Sequence, residues 1–246
     1  MIVYSNSCSP GLPGQGHSIY PEMVAKDLGA ELVYGGTEGS TNRRIFRTSV
    51  RDLIECQARD PDVVVLIGMT FLARNELWQP WLPANGNDGH FHTVEVDHKQ
   101  IDWSIKGLID TIVPDIHKLA DRRVKDFYRE WLIHYHPEAA VTELLTDMLM
   151  FAGWCRSRKI QYLIFINPDK FPEDSKVGYN SPFLSSLMPE AEADPYILEP
   201  WNFSMNGLVL GNGLKLKDEA SLRHHGHPDE QGHRVFADYL LEKLKQ

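Results

Sequence analysis

The chain has 246 residues, 42% of them hydrophobic and 24% charged, a balance that suits an α/β domain with one sizeable core and excludes a disordered or collagenous polypeptide. Its formal charge of −9 disfavours nucleic acid and anionic lipid as partners. Three scattered cysteines, Cys8, Cys56 and Cys155, do not make a disulfide framework and read as reduced thiols.

In chain order, short β-branched runs at residues 2–4, 30–34, 62–68 and 161–166, each bounded by Gly, Asn, Asp or Pro, predict buried parallel strands. Helical patterns fall between them at about 17–28, about 42–58 and about 115–157, the last interrupted at Pro137. Alternation of this kind predicts a doubly wound sheet with helices on both faces. Two stretches break the pattern. Residues 69–113, with Trp78, Trp81 and Trp103, read as a long loop with a small helix around 99–111. Residues 167–218, rich in Pro, Asn and Gly and carrying Trp201, read as a second long loop, and both are expected to wall the carboxyl edge of the sheet. Val235, Phe236, Tyr239, Leu240 and Leu244 share one face of a closing helix. The whole of 1–246 reads as one domain. The longest apolar run, residues 63–69, is far short of the roughly 20 residues that span a bilayer. The amino terminus lacks the basic start and apolar stretch of a secretory signal, so a soluble, cytoplasmic protein is expected.

Ligands of open α/β sheets bind beyond the carboxyl ends of the strands. Here the turn after the first strand reads Ser5-Asn6-Ser7-Cys8-Ser9-Pro10-Gly11, which offers hydroxyls and backbone N–H groups. A serine there needs a base to act as a nucleophile, and His224-His225-Gly226-His227-Pro228 offers one ahead of the last helix.

Four blocks in this order resemble those of the SGNH/GDSL hydrolases. IVYSNSCSPGLPGQG is similar to the first block, GGTEGSTNRRIFR to the second, DVVVLIGMT stands where the third falls, and HHGHPDEQGH is similar to the last. The resemblance implies a flavodoxin-like three-layer sandwich around a central, mainly parallel sheet. It also implies an acyl-enzyme mechanism with Ser7 as nucleophile and His227 as base. The oxyanion would be held by the N–H groups of Ser7 and Gly39, with Asn42 and Thr70 at the other donor positions. The departures are specific: Gly-Asp-Ser has become Ser5-Asn6-Ser7, the third-block Asn falls at Thr70, and the last-block Asp falls at His224. Losing an oxyanion donor is commonly worth roughly 3 to 4 kcal/mol, so Arg74 or Asn75 is an alternative to Asn42 for that place. A cationic His224 cannot orient an imidazole, which leaves Asp218, Glu219 or a backbone carbonyl for that role.

Each of these residues also has a plainer reading. Ser7 suits a helix-capping turn, His227 precedes a Pro that suits a first helical turn, and Gly39 suits a tight turn. Arg43, Arg44 and Arg47 read either as a substrate carboxylate or phosphate site, to which Arg74 would add, or as a solvated helix face. The histidines at 224, 225, 227 and 233, with His90, His92 and His98, lack metal-ligand spacing, so neither metal nor other cofactor is expected. Trp78, Trp81 and Trp201 read as lid anchors or as stacking surfaces for a sugar or an aromatic ligand. Together these readings predict a serine-dependent hydrolase of a small-molecule or glycan ester, with no nucleic acid or membrane partner. An acyltransferase on the same scaffold and a binding module without catalysis are the alternatives.

Overall fold

The computed structural model describes residues 1–8, 11, 16–37, 40–70, 74–78, 91–95, 137–167, 182–198, 203–217 and 227–246. Four parallel strands, β1 (Ile2–Ser7), β2 (Glu31–Tyr34), β3 (Val63–Met69) and β6 (Gln161–Ile166), form a sheet in the order β2-β1-β3-β6. The registers run from Ile2↔Glu31 on one side of β1, and from Ile2↔Val63 to Ser7↔Gly68 on the other. Val64↔Gln161 to Met69↔Ile166 joins β3 to β6. Beyond β6, Ile197 bridges Ile164 in parallel, so the segment 196–198 continues the sheet with bonds from Ile164 N to Tyr196 O and from Leu198 N to Ile164 O. The resulting order, with β2 on one side of β1 and β3 and β6 on the other, is the flavodoxin-like one, and its switch point lies between β1 and β3.

β1 and β3 are buried along their whole length, which is why β3 is a continuous apolar run rather than an alternating one. The sequence reading ended β1 at Tyr4 and made 5–11 a turn. The strand instead continues through Ser5, Asn6 and Ser7, because central pairing on β3 satisfies their backbone and buried groups on the α2 face receive the Asn6 side-chain nitrogen.

One face carries Ile2, Tyr4, Val65, Ile67, Tyr162, Ile164 and their neighbours under α2 (Asn42–Arg59), α3 (Pro137–Ser157) and α4 (Pro182–Ala193). The other carries Val3, Val64, Leu66, Leu163 and Phe165 under α1 (Tyr20–Leu28) and α6 (Glu230–Leu244). Tyr20 of α1, Phe165 of β6 and Phe236 of α6 meet edge-to-face, with ring centroids 5.0 to 5.7 Å apart, a packing worth about 0.5–1.5 kcal/mol per pair beyond area burial. This trio fixes both helices to the sheet just below its carboxyl edge.

Local signals set the helix ends. Glu22 accepts the Ile19 N–H ahead of α1, and Gly29 closes that helix at φ 63°. Thr41 caps α2 by accepting the Arg44 N–H, and Asp229 caps α6 by accepting that of Gly232. α1 starts at Tyr20, three residues later than the pattern suggested.

The two stretches read as loops contain regular structure. Within 69–113, β4 (Arg74–Trp78) and β5 (Phe91–Glu95) pair antiparallel; the expected helix at 99–111 lies outside the described residues. Within 167–218 lie α4, α5 (Met205–Gly211) and β7 (Leu216–Lys217), which pairs with β8 (His227–Pro228). α4 was hidden by Pro189 in its interior, and α5 by its brevity. Residues 115–136, the first half of the expected long helix, lie outside the described residues, and α3 begins at Pro137. Among the described residues, no helix is long and apolar enough to cross a membrane.

Candidate active site

Alternation along the strands determines what reaches the carboxyl edge. On the α1/α6 face β1 presents Val3, Ser5 and Ser7, β3 presents Val64, Leu66 and Gly68, and β6 presents Leu163 and Phe165, with Asn167 directly after it. The face therefore changes from apolar to polar within its last turn of pleat, at the switch point. Ser5, Ser7, Tyr20 and Asn167 are all fully buried there.

The hydroxyl of Ser7 donates to the Cys8 carbonyl at 3.0 Å. Gly11, whose N–H bonds to the same carbonyl, folds over it: a Cβ on Gly11 would collide with Ser7 Oγ and come within 2.7 Å of Tyr20 Oη. Across the sheet, a Cβ on Gly68 would collide with the Asn167 side-chain nitrogen and approach Asn167 Cγ to 2.8 Å. The Asn167 amide thus lies over the residue paired with Ser7. Burial pushes the Tyr20 hydroxyl up to about 12, while its neighbours Ser7, Asn167 and Ser5 pull the other way. Even so, no hydrogen bond of normal length and angle reaches Tyr20 Oη, Ser5 Oγ, or either polar atom of the Asn167 side chain among the described residues. Groups left so at this depth cost about 1–3 kcal/mol each, and a catalytic role is one of the accounts such a cost admits.

Asn6 points to the opposite face and has a structural task. Its Nδ2 lies 2.8 Å from Thr48 Oγ1, 3.0 Å from Ser49 Oγ and Tyr4 Oη, and 3.1 Å from the Ile45 carbonyl. The three hydroxyls give their own protons elsewhere: Tyr4 to Asp52 at 2.9 Å, Thr48 to the Arg44 carbonyl at 2.9 Å, and Ser49 to the Ile45 carbonyl at 2.6 Å. Only lone pairs face Asn6, so an amide suits the position and the acid of the Gly-Asp-Ser pattern does not.

The second-block residues are placed as follows. Asn42 opens α2 and clamps the residue after β3 through two bonds, Thr70 N–H to Asn42 Oδ1 at 2.8 Å and Asn42 Nδ2 to Thr70 O at 3.1 Å. This occupies the Thr70 N–H and one N–H of Asn42. Gly39 lies outside the described residues. The three arginines separate: Arg44 is buried and binds the Gly35 carbonyl and Ser40 hydroxyl at 3.2 Å, fixing the loop after β2. Arg43 and Arg47 are exposed, Arg43 facing Glu143 at 3.5 Å. Of Arg74 only the backbone, in β4, is described. Asp218, Glu219 and His224 lie outside the described residues.

His227 is half-buried in β8, opposite Lys217. Further along, in the first turn of α6, His233 Nδ1 accepts the Tyr20 N–H at 3.4 Å and its ring stacks on Tyr20. Sequence reasoning missed Tyr20 and Asn167. The available signal was a polar residue closing the apolar run of β6 on the same face as the serine. Among the described residues, no group of side chains is suited to hold a metal ion.

No family model and no curated protein matches the chain. Among solved structures, the fold is similar to that of a protein assigned to the lipolytic G-D-S-L family from Desulfitobacterium hafniense DCB-2, at 11% identity over 98% of both chains and a TM-score of 0.47. It is also similar to the acetyl xylan esterase AlAXEase, at 13% identity over 98% of both chains and a TM-score of 0.46. A third likeness is to the psychrotrophic esterase EstA from Pseudoalteromonas sp., at 11% identity over 99% of this chain and 96% of that one, with a TM-score of 0.45. These are likenesses of overall shape, and no residue of this chain takes its role from them.

Proposed function

We propose that the chain is a serine-dependent hydrolase of a small acyl ester, small-molecule or glycan, acting through an acyl-enzyme. One observation carries the reading: a serine hydroxyl ends the central strand at the β1/β3 switch point, among buried polar groups that lack partners. In the first step Ser7 Oγ bonds to the acyl carbon, its proton passes to the imidazole of His227, and the carbonyl oxygen becomes an oxyanion. Collapse breaks the bond to the alcohol, which leaves with that proton. Water, activated by the same imidazole, then releases the acid and restores Ser7. The N–H of Gly39 is a donor to the oxyanion in this scheme. The reading takes 1–246 as one domain working in the cytoplasm without a cofactor.

The test is turnover on a panel of small acyl esters. Wild type cleaves at least one; Ser7→Ala falls by at least about a thousandfold on it, with His227→Ala close behind. Full turnover by Ser7→Ala sinks the reading. Adding an alcohol acceptor separates hydrolysis from acyl transfer by product. A second reading, a binding module without catalysis, is favoured by the buried Ser7 and its bond to the Cys8 carbonyl; it predicts no turnover on any ester.

A further inference from the structure

The donor lost at Thr70 leaves the oxyanion short of one partner, and Asn42, the nearest substitute in sequence, is occupied by the Thr70 backbone. Two other side chains at the edge have protons without a good acceptor. Asn167 directly follows β6 and lays its amide over Gly68, the residue paired with Ser7. Tyr20 opens α1, is held by the Phe165 and Phe236 rings, and brings its hydroxyl beside both Ser7 and Asn167. Neither the Asn167 side-chain nitrogen nor Tyr20 Oη has a hydrogen bond of normal geometry among the described residues. Both are buried; Tyr20 belongs to α1, and Asn167 directly follows β6, its N–H bonded to the Met69 carbonyl.

We propose that Tyr20 and Asn167 are oxyanion donors: the phenol and the amide turn their protons to the negative oxygen that forms when Ser7 attacks, replacing the donor missing at Thr70. The inference rests on the acyl-enzyme reading above. A preorganised donor in a water-excluded site is worth far more than one in solvent, because it needs no reorientation when charge appears. The phenol stays protonated throughout the working pH range, since burial raises it, so it acts as a donor and not as a base. In the resting protein the two groups remain unsatisfied, which is a cost to the fold that catalysis would recover in the transition state.

Tyr20→Phe and Asn167→Ala test the pair with p-nitrophenyl acetate as probe, reading kcat, KM and thermal unfolding together. Tyr20→Phe removes one oxygen and keeps the ring packing, so it folds even if Asn167→Ala does not. The expected result is a fall in kcat of about 100-fold for each, with KM changed less than about threefold and the Tyr20→Phe unfolding temperature unchanged or raised. Unchanged kcat in Tyr20→Phe, or a rise in KM with kcat retained, overturns the proposal. If wild type and Tyr20→Phe turn over equally while Ser7→Ala is dead, the pair is refuted and the ester-hydrolase reading stands. A wild type with no turnover on any ester refutes both.

Discussion

Replacing Asn6 by Asp restores the acid of the Gly-Asp-Ser pattern and should damage the protein. Asn6 is fully buried, and the four groups around its nitrogen offer it only lone pairs. A carboxylate could be satisfied only if the hydroxyls of Tyr4, Thr48 and Ser49 turned their protons inward, breaking their bonds to Asp52, the Arg44 carbonyl and the Ile45 carbonyl. At about 1 kcal/mol per bond, that rearrangement costs roughly 3 kcal/mol. Leaving the charge unpaired costs about 3–5 kcal/mol, so either route predicts a similar loss. Urea unfolding at pH 8 measures it as a lower midpoint at constant slope. The sign with pH follows from burial, which raises the carboxyl in the folded state above its unfolded value of about 3.9. The variant recovers as pH falls toward that value and is worst above the folded one. A loss under about 1 kcal/mol at pH 8, or one that grows on acidification, would refute the reasoning.

Gly68→Ala forces a Cβ into the Asn167 amide on a strand that pairing holds in place; the expected loss of about 1–3 kcal/mol is read by urea unfolding, and the ester turnover should fall with it. For Tyr20, the hydroxyl is raised from 10.0 to about 12 in the folded state, so stability is fully present below about pH 10 and is lost as pH climbs through 12. The Tyr20→Phe variant should therefore lose less stability between pH 9 and pH 12 than wild type, by roughly 2 to 3 kcal/mol; parallel stability curves for the two proteins would contradict this. Spectrophotometric titration should also show a fraction of the phenols lagging the rest, since Tyr4, Tyr34 and Tyr162 are likewise raised by burial.

β3 and β6 were legible because parallel strands buried on both faces are continuous apolar runs; β2 was found as a strand, but as an edge strand it is exposed or half-buried rather than buried. The end of β1 was not legible, since Ser5-Asn6-Ser7 has the composition of a turn and is held extended only by β3 and by the hub around Asn6. The helix at 182–193 was concealed by Pro189, whose usual meaning is a break. At the site, Ser7 was readable because it lies at the end of the first strand. Its neighbours Tyr20 and Asn167 were not, because α1 and β6 bring them together from distant parts of the chain, and no local pattern records the contact. Arg44 fits neither of its two readings, substrate ligand or solvated helix face: it is buried and spends its charge on the Gly35 carbonyl and the Ser40 hydroxyl.

The central claim is that Ser7 is an activated nucleophile, and intact-protein mass spectrometry after incubation with a fluorophosphonate tests it most directly. The account predicts one covalent adduct on wild type and none on Ser7→Ala. An adduct that survives in Ser7→Ala, or wild type that takes up no label, would contradict it.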